Sequence, residues 1–202
     1  KHANETGVTS VQTCDVRMND WRSTLQAYNE VMAENHSIRV YHQFNFMEPE
    51  GFKEFLAMGY KTGVGDDFNR FGPLKLFVDG SLGARTAYMR KPYADDPSTR
   101  GIATLTQEQL DTLVQIATEH GCSVATHAIG DAAVESVLDS YDKVCTNGQN
   151  PLRHGIIHVQ ITDRPLLERF TKNDILALVQ PIFLHYDTGI VEARVGKELA
   201  AT

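Results

Sequence analysis

Leu74-Lys75-Leu76-Phe77-Val78-Asp79-Gly80-Ser81-Leu82-Gly83-Ala84-Arg85-Thr86-Ala87 opens as a short apolar strand carrying one lysine and closes as a glycine-rich loop with charged and hydroxyl residues. An ammonium inside a run that should be buried is expensive, so Lys75 needs a chemical reason. Two later stretches have the same layout. Ser-Val-Ala-Thr-His ends at His127 before Ala-Ile-Gly-Asp, and Gly-Ile-Ile-His ends at His158 before Val-Gln. The chain reads as a scaffold that presents Lys75, His127 and His158 at equivalent strand ends.

Upstream, Val8 to Thr13 is β-branched and reads as a strand, and Ser23 reads as the cap of a helix bearing Leu25, Tyr28, Val31 and Met32. Ile38 to Phe44 suits a buried strand, and Pro49 opens a helix with Phe52, Phe55 and Leu56 on one face. Residues 61–72 lack periodicity and read as a loop; Leu74 to Val78 is the next strand.

Downstream, a long connection rich in Gly, Pro and Asp runs to Leu105; such loops are functional or disordered. Thr106 and Gln109 form a capping box before Leu110, Leu113, Val114 and Ala117, and Gly121 stops that helix. Ser123 to Ala128 is a strand, and Asp131 caps a helix with Val134, Val137, Leu138 and Tyr141. Ile156 to Val159 is a strand, Thr162 or Asp163 caps a helix with Leu166, Leu167 and Phe170, and Ile175 to Val179 is the last strand. Beyond Pro181 the pattern supports no assignment.

Strand and helix thus alternate about six times, which makes the fold α/β with parallel strands and right-handed crossovers. A doubly wound sheet competes with a (β/α)8 TIM barrel. No Gly-x-Gly-x-x-Gly or phosphate-loop motif follows any strand, which weakens the first. Polar residues recur at the carboxyl ends of strands, where barrel enzymes keep their active sites. Six strands do not close an eight-stranded barrel. The chain also starts at Lys1 and stops at Thr202 without a closing feature, so residues 1–202 are expected to be part of a longer barrel domain.

With 202 residues and 42% hydrophobic content, the chain can bury a sizeable core. A net charge of -7 with no basic run argues against a nucleic-acid surface, and no apolar run approaches the ~20 residues of a membrane span. Cys14, Cys122 and Cys145 are odd in number and far apart, so they read as reduced thiols of a cytoplasmic protein.

Two histidines at matching strand ends suit a divalent ion such as zinc, and a catalytic zinc wants at least three protein ligands and an open position. An ammonium cannot ligate a metal. A buried, neutral lysine could instead form a Schiff base or take up carbon dioxide as a carbamate, an anionic oxygen ligand.

Lys-Leu-Phe-Val-Asp-Gly-Ser-Leu-Gly-Ala-Arg-Thr-Ala, His-Ala-Ile-Gly-Asp and Arg-His-Gly-Ile-Ile-His-Val-Gln closely resemble the amidohydrolase superfamily. Within it they are most similar to the metal-dependent hydrolases related to N-substituted formamide deformylase and the exoenzyme-regulatory-like proteins. The resemblance runs from Gly7 to Pro181. It implies a (β/α)8 barrel of which this chain holds strands 2 to 7. It also implies Lys75 (as carbamate), His127 and His158 as ligands of one or two divalent ions, most simply zinc. Residues 79–85 would be a loop over the substrate, with Asp79, Ser81, Arg85 and Gln160 meeting it. The family's first-strand His-x-His pair has no counterpart here, Ile157 stands where relatives carry a glutamate, and the eighth-strand aspartate base would lie beyond Thr202.

The expected parent is therefore a metal-dependent hydrolase of non-peptide amide C–N bonds, acting on a small molecule, while the chain alone is not expected to catalyse. A Schiff-base lyase using Lys75 and a non-catalytic binding or regulatory module are the alternatives. Open strand edges suggest self-association. Among other candidates, His42 reads as a core hydrogen-bonding residue, His154 and His185 as strand-edge residues, and His36 and His120 as helix-end residues. Arg85 suits a carboxylate or a salt bridge, Gln160 and Gln180 a ligand contact, and Phe68, Phe71 and Tyr88 a lid or plain loop aromatics.

Overall fold

Apolar spacing that switches between two and three to four residues produces six strands and eight helices among the described residues, which in this computed structural model are 2–34 and 37–201. His36 lies outside them. The chain divides into two units, residues 1–76 with 115–124 and residues 77–114 with 125–202.

The first unit contains α1 (His2–Glu5), β1 (Ser10–Arg17), α2 (Trp21–Glu34), β2 (Arg39–Asn45) and α3 (Pro49–Ala57), followed by β3 (Asn69–Phe77). β1 pairs parallel with β2 from Ser10↔Arg39 to Arg17↔Asn45, and β2 pairs parallel with β3 from Val40↔Asn69 to Phe44↔Leu74. Its core is aromatic: Phe44 and Phe46 each bring their rings within 4.9 Å of Phe55 on α3, and Trp21 meets Phe55 edge-on at 5.4 Å.

Three expectations fail here for local reasons. Helix α2 starts at Trp21, so Ser23 sits inside it and its Oγ donates to the Asp20 carbonyl at 2.9 Å instead of capping. Val31 is 60% exposed, because Trp21, not Val31, completes the buried face with Leu25 and Met32. β3 begins inside the stretch expected to be a loop, because the Asp66 carboxylate accepts from the Phe68 and Asn69 amides at 2.7 and 2.9 Å and turns the chain into the strand. Phe71 is therefore a buried strand residue beside Tyr60 and no lid.

In the second unit the connection after β3 has neither helix nor strand over residues 78–106, yet it is cross-braced. Met89 N donates to Arg100 O at 2.7 Å, and Tyr93 Oη donates to Ala87 O at 2.8 Å. At Gly101, φ is +88° and a Cβ would lie 1.9 Å from Ala87 O, so only glycine serves. Thr106 N donates to Gln109 Oε1 and Gln109 N to Thr106 Oγ1, the reciprocal box that opens α4 (Gln107–Glu119).

β4 (Val124–Ala128), α5 (Asp131–Val144), β5 (Gly155–His158), α6 (Arg164–Lys172) and β6 (Leu176–Leu178) follow, with β4, β5 and β6 parallel in that order. Asp163 caps α6 by accepting from Leu166 N at 2.9 Å. Asp131 is the first residue of α5 and not its cap; its carboxylate accepts from Arg90 N and Ala132 N. Leu167 is 46% exposed, since α6 buries only Leu166 and Phe170. Arg90 ties these elements together, bidentate to Glu135 on α5 at 2.9 Å and 2.6 Å from Asp163.

The segment that gave no pattern holds α7 (Ile182–Asp187) and α8 (Val191–Ala200). Val191, Val195 and Leu199 of α8 pack on Leu82, Met89, Tyr93 and Ile161, while Gly196 (φ 79°, ψ 161°) interrupts the helix and hides its period. No described helix is long and apolar enough to cross a membrane.

Candidate metal centre

The second unit brings His127 and His158 together at the carboxyl ends of β4 and β5. Ala128 pairs with His158 in the ladder, which sets the two imidazoles side by side with centroids 4.7 Å apart and planes at 78°. Phe77 flanks His127 at 5.5 Å and Phe183 flanks His158 at 5.7 Å. Nε2 of His127 donates to the Gly80 carbonyl at 2.9 Å, with Asp79 Oδ1 at 3.2 Å.

The backbone is strained where His158 sits. φ is +80° at His158 and +50° at Val159, two successive non-glycine residues in the left-handed region. A β-branched residue there is a true outlier, and such strain collects at functional sites. Val159 N to Ala128 O (3.1 Å) and Ile161 N to Ile129 O (2.9 Å) hold the turn in place.

The turn redirects the chain so that His158 and Gln160 face a cavity of about 590 Å³, bounded also by Gln180, Phe183, Val191 and Leu199. Gln160 Nε2 donates to Asp187 Oδ2 on α7, and Gln180 Nε2 donates to Leu178 O at 3.1 Å. The cavity wall is therefore mostly apolar, with amide groups on one side.

The loop residues fare unequally. Ser81 is exposed, and its Oγ accepts from Ala84 N at 3.4 Å. Arg85 makes a bidentate pair with Asp95 at 3.0 and 2.9 Å, which holds the Asp95 carboxyl below the usual range; Arg194 of α8 adds to the same carboxylate. Asp79, expected to meet the substrate, is turned inward. Its side chain has no exposed surface, and its oxygens accept from the backbone amides of Tyr88, Ile129 and Gly130.

Lys75 lies in the first unit, near the end of β3. It is only 6% exposed, and its Nζ donates to Leu76 O at 3.1 Å. The Asn45 amide donates to the Lys75 carbonyl at 2.7 Å. Its charge also opposes the rise that burial imposes on the Cys14 thiol. His42 is fully buried between Thr13 Oγ1 and Asn69 Oδ1, and burial lowers its pKa. It is a core residue.

Sequence reasoning missed the backbone strain, the Asp95 partner of Arg85 and the clasp made by Asp79. The last had one visible signal, an acid placed directly between a buried strand and a glycine.

The histidine pair suits a divalent ion in its chemistry. Ligating imidazoles donate their second N–H to a carboxylate or carbonyl, and His127 does so toward the Gly80 carbonyl, which leaves Nδ1 with a lone pair. The pair fits two ligand positions. Among the described residues no group of three His, Cys, Asp or Glu side chains could hold an ion.

The Amidohydrolase family profile matches residues 1–202. The YtcJ protein of Bacillus subtilis (strain 168) is 41% identical over 136 residues, 65% of this chain and 25% of its own length. The protein LONG AFTER FAR-RED 3 of Arabidopsis thaliana is 36% identical over 141 residues, 69% of this chain and 24% of its own. Among solved structures, an uncharacterized metal-dependent hydrolase from Pyrococcus furiosus superposes with a TM-score of 0.83 at 30% identity, covering 99% of this chain and 40% of its own. The chain thus spans about a quarter of the length of these two relatives.

Proposed function

This chain belongs to the amidohydrolase family, and from that premise we propose that it forms strands 2 to 7 of a (β/α)8 barrel in a metal-dependent hydrolase of amide-type C–N bonds other than peptide bonds. The observation that carries the proposal is the adjacent imidazole pair, with His127 held at Nε2 by Gly80 O.

His127 and His158 would hold a divalent ion, zinc by the preference of neutral imidazole. Lys75 keeps the ligand role implied by the resemblance, as a carbamate. When bound, the ion supplies Lewis acidity toward an amide carbonyl and toward water. The strained His158–Val159 turn fixes the imidazole in advance of binding. Gln160, oriented by Asp187, lines the cavity beside His158 and would hydrogen-bond the substrate. The apolar wall around Phe183, Val191 and Leu199 excludes water from the scissile bond and accepts a small substrate with an apolar group. Ser81 and Arg85 belong to the loop over the substrate; Arg85 would have to exchange Asp95 for a ligand carboxylate.

The test uses full-length protein, metal analysis and a panel of N-acyl amines. Stoichiometric zinc, cobalt or manganese with hydrolysis that is lost in His127→Ala and His158→Ala is expected. Absence of bound metal, or full activity in both variants, would overturn the reading.

A further inference from the structure

The polar side chains around the cavity of about 590 Å³ spend their donors on the protein itself. Gln160 gives an N–H to the Asp187 carboxylate, and Thr188 gives its hydroxyl proton to Leu184 O. Gln180, between β6 and α7, gives an N–H to Leu178 O at 3.1 Å. A carbonyl only accepts, so the nitrogen of the Gln180 amide must face Leu178 and its oxygen is the end left over. That oxygen, Oε1, is buried and accepts nothing from any described residue. An unpaired buried acceptor is costly, and native structures hold few of them. The last torsion of a glutamine is soft, so a small turn presents this oxygen to a donor in the cavity. A second N–H remains on each amide nitrogen, and charge decides between the two polarities. Among the described residues lining the cavity there is one carboxylate, Asp187, and neither lysine nor arginine. A carboxylate entering here would lie near Asp187 with no cation from the lining to pair with it.

We infer that this cavity selects an N–H donor: Gln180 Oε1 accepts from an amide N–H of the ligand, and Asp187 keeps carboxylates out. The inference deepens the proposed function, on which it rests for the cavity being the substrate's. It assigns two specificity-determining residues with separate tasks. Gln180 separates an amide from an ester of the same shape, because the ester brings a second acceptor where a donor is wanted. Asp187 separates either neutral ligand from the corresponding acid by charge. The apolar wall around Phe183, Val191 and Leu199 contributes to all three alike.

Three probes that share one benzyl group test this: phenylacetamide, methyl phenylacetate and phenylacetate. Their dissociation constants are measured by ligand-observed NMR titration of metal-depleted full-length protein, so that binding is read without turnover. Phenylacetamide is expected to bind about 10-fold or more tightly than either of the others. Equal binding of amide and ester, tighter binding of phenylacetate, or no binding of any probe overturns the inference. Gln180→Met should bring the amide and the ester within about threefold of each other while phenylacetate stays weak. Asp187→Asn should bring phenylacetate and the ester within about threefold while the amide keeps its lead over the ester. A merely structural role for either residue would weaken all three probes by the same factor, and that outcome in folded variants overturns the assignment. If a melting curve shows that a variant does not fold, the order of the three probes on the unaltered protein decides. Zinc-dependent hydrolysis with equal binding of amide and ester would sink this inference and leave the hydrolase proposal standing. Absence of bound metal would sink that proposal and leave the order of the probes as it is.

Discussion

His127 and His158 meet edge to face, 4.7 Å between ring centroids, because Ala128 and His158 are ladder partners on neighbouring parallel strands. Both side chains are needed if they share an ion, and neither can replace the other. Each single alanine substitution is expected to weaken zinc binding by more than ~100-fold, beyond the effect of losing an outer contact. The double variant should lose little more than either single one. Chelator competition checks this, and affinities within threefold of the original would refute a shared ion.

The turn after β5 should show its strain in stability. Val159 is buried at 8% exposure with φ of +50°. At an ordinary buried site the step from alanine to glycine costs about 1 kcal/mol. Here glycine recovers the left-handed penalty of ~1–2 kcal/mol that alanine still carries. Val159→Gly is therefore expected to be no less stable than Val159→Ala, although both lose packing. Urea denaturation of the pair measures the difference; a glycine variant clearly less stable than the alanine one would show that the turn is unstrained.

Gly130 should tolerate no side chain. A Cβ there would lie 2.0 Å from Tyr88 O and 2.8 Å from Tyr88 N, both backbone atoms of the loop that Asp79 clasps, and Gly130 N is one of Asp79's donors. Gly130→Ala is expected to cost about 3 kcal/mol or more, or to prevent folding. Gly189, with nothing within 4 Å of its Cβ, is the control: Gly189→Ala should lie within about 0.5 kcal/mol of the original. Equal melting temperatures for the two variants would contradict the close approach.

Elements held by contacts near in sequence were legible. The Thr106–Gln109 box, the Asp163 cap and the Val134–Val137–Leu138–Tyr141 face all depend on residues within one or two helical turns, so their spacing reports them. The burial of Lys75 was likewise readable from its apolar neighbours. What could not be read depends on distant partners. Asp79 looked like a substrate contact because its donors, Ile129 and Gly130, lie some 50 residues away. The pairing of Arg85 with Asp95, and the approach of Arg194 on α8 to the same carboxylate, likewise depend on how the loop is folded. α8 itself lacked a readable period because Gly196 breaks it in the middle.

His154 gives the protein an acid-sensitive point away from the histidine pair. Its residue is 2% exposed, its ring lies 5.3 Å from that of Tyr141, and burial lowers its pKa from 6.5 to about 4. The folded protein thus resists protonating a ring that the unfolded chain protonates readily. Between pH 6.5 and 4 the unfolded state binds the extra proton, so stability falls as pH falls through that window and is fully present above it. The contribution at neutral pH is on the order of 3 kcal/mol. His154→Phe, which keeps an aromatic ring near Tyr141 without a titrating group, should flatten the fall between pH 6.5 and 4 by about that amount, whatever it costs in packing at pH 7. Denaturant titrations at four or five pH values would measure both slopes. Parallel curves for the two proteins would show that His154 does not carry the acid sensitivity, and that the carboxylates alone set it.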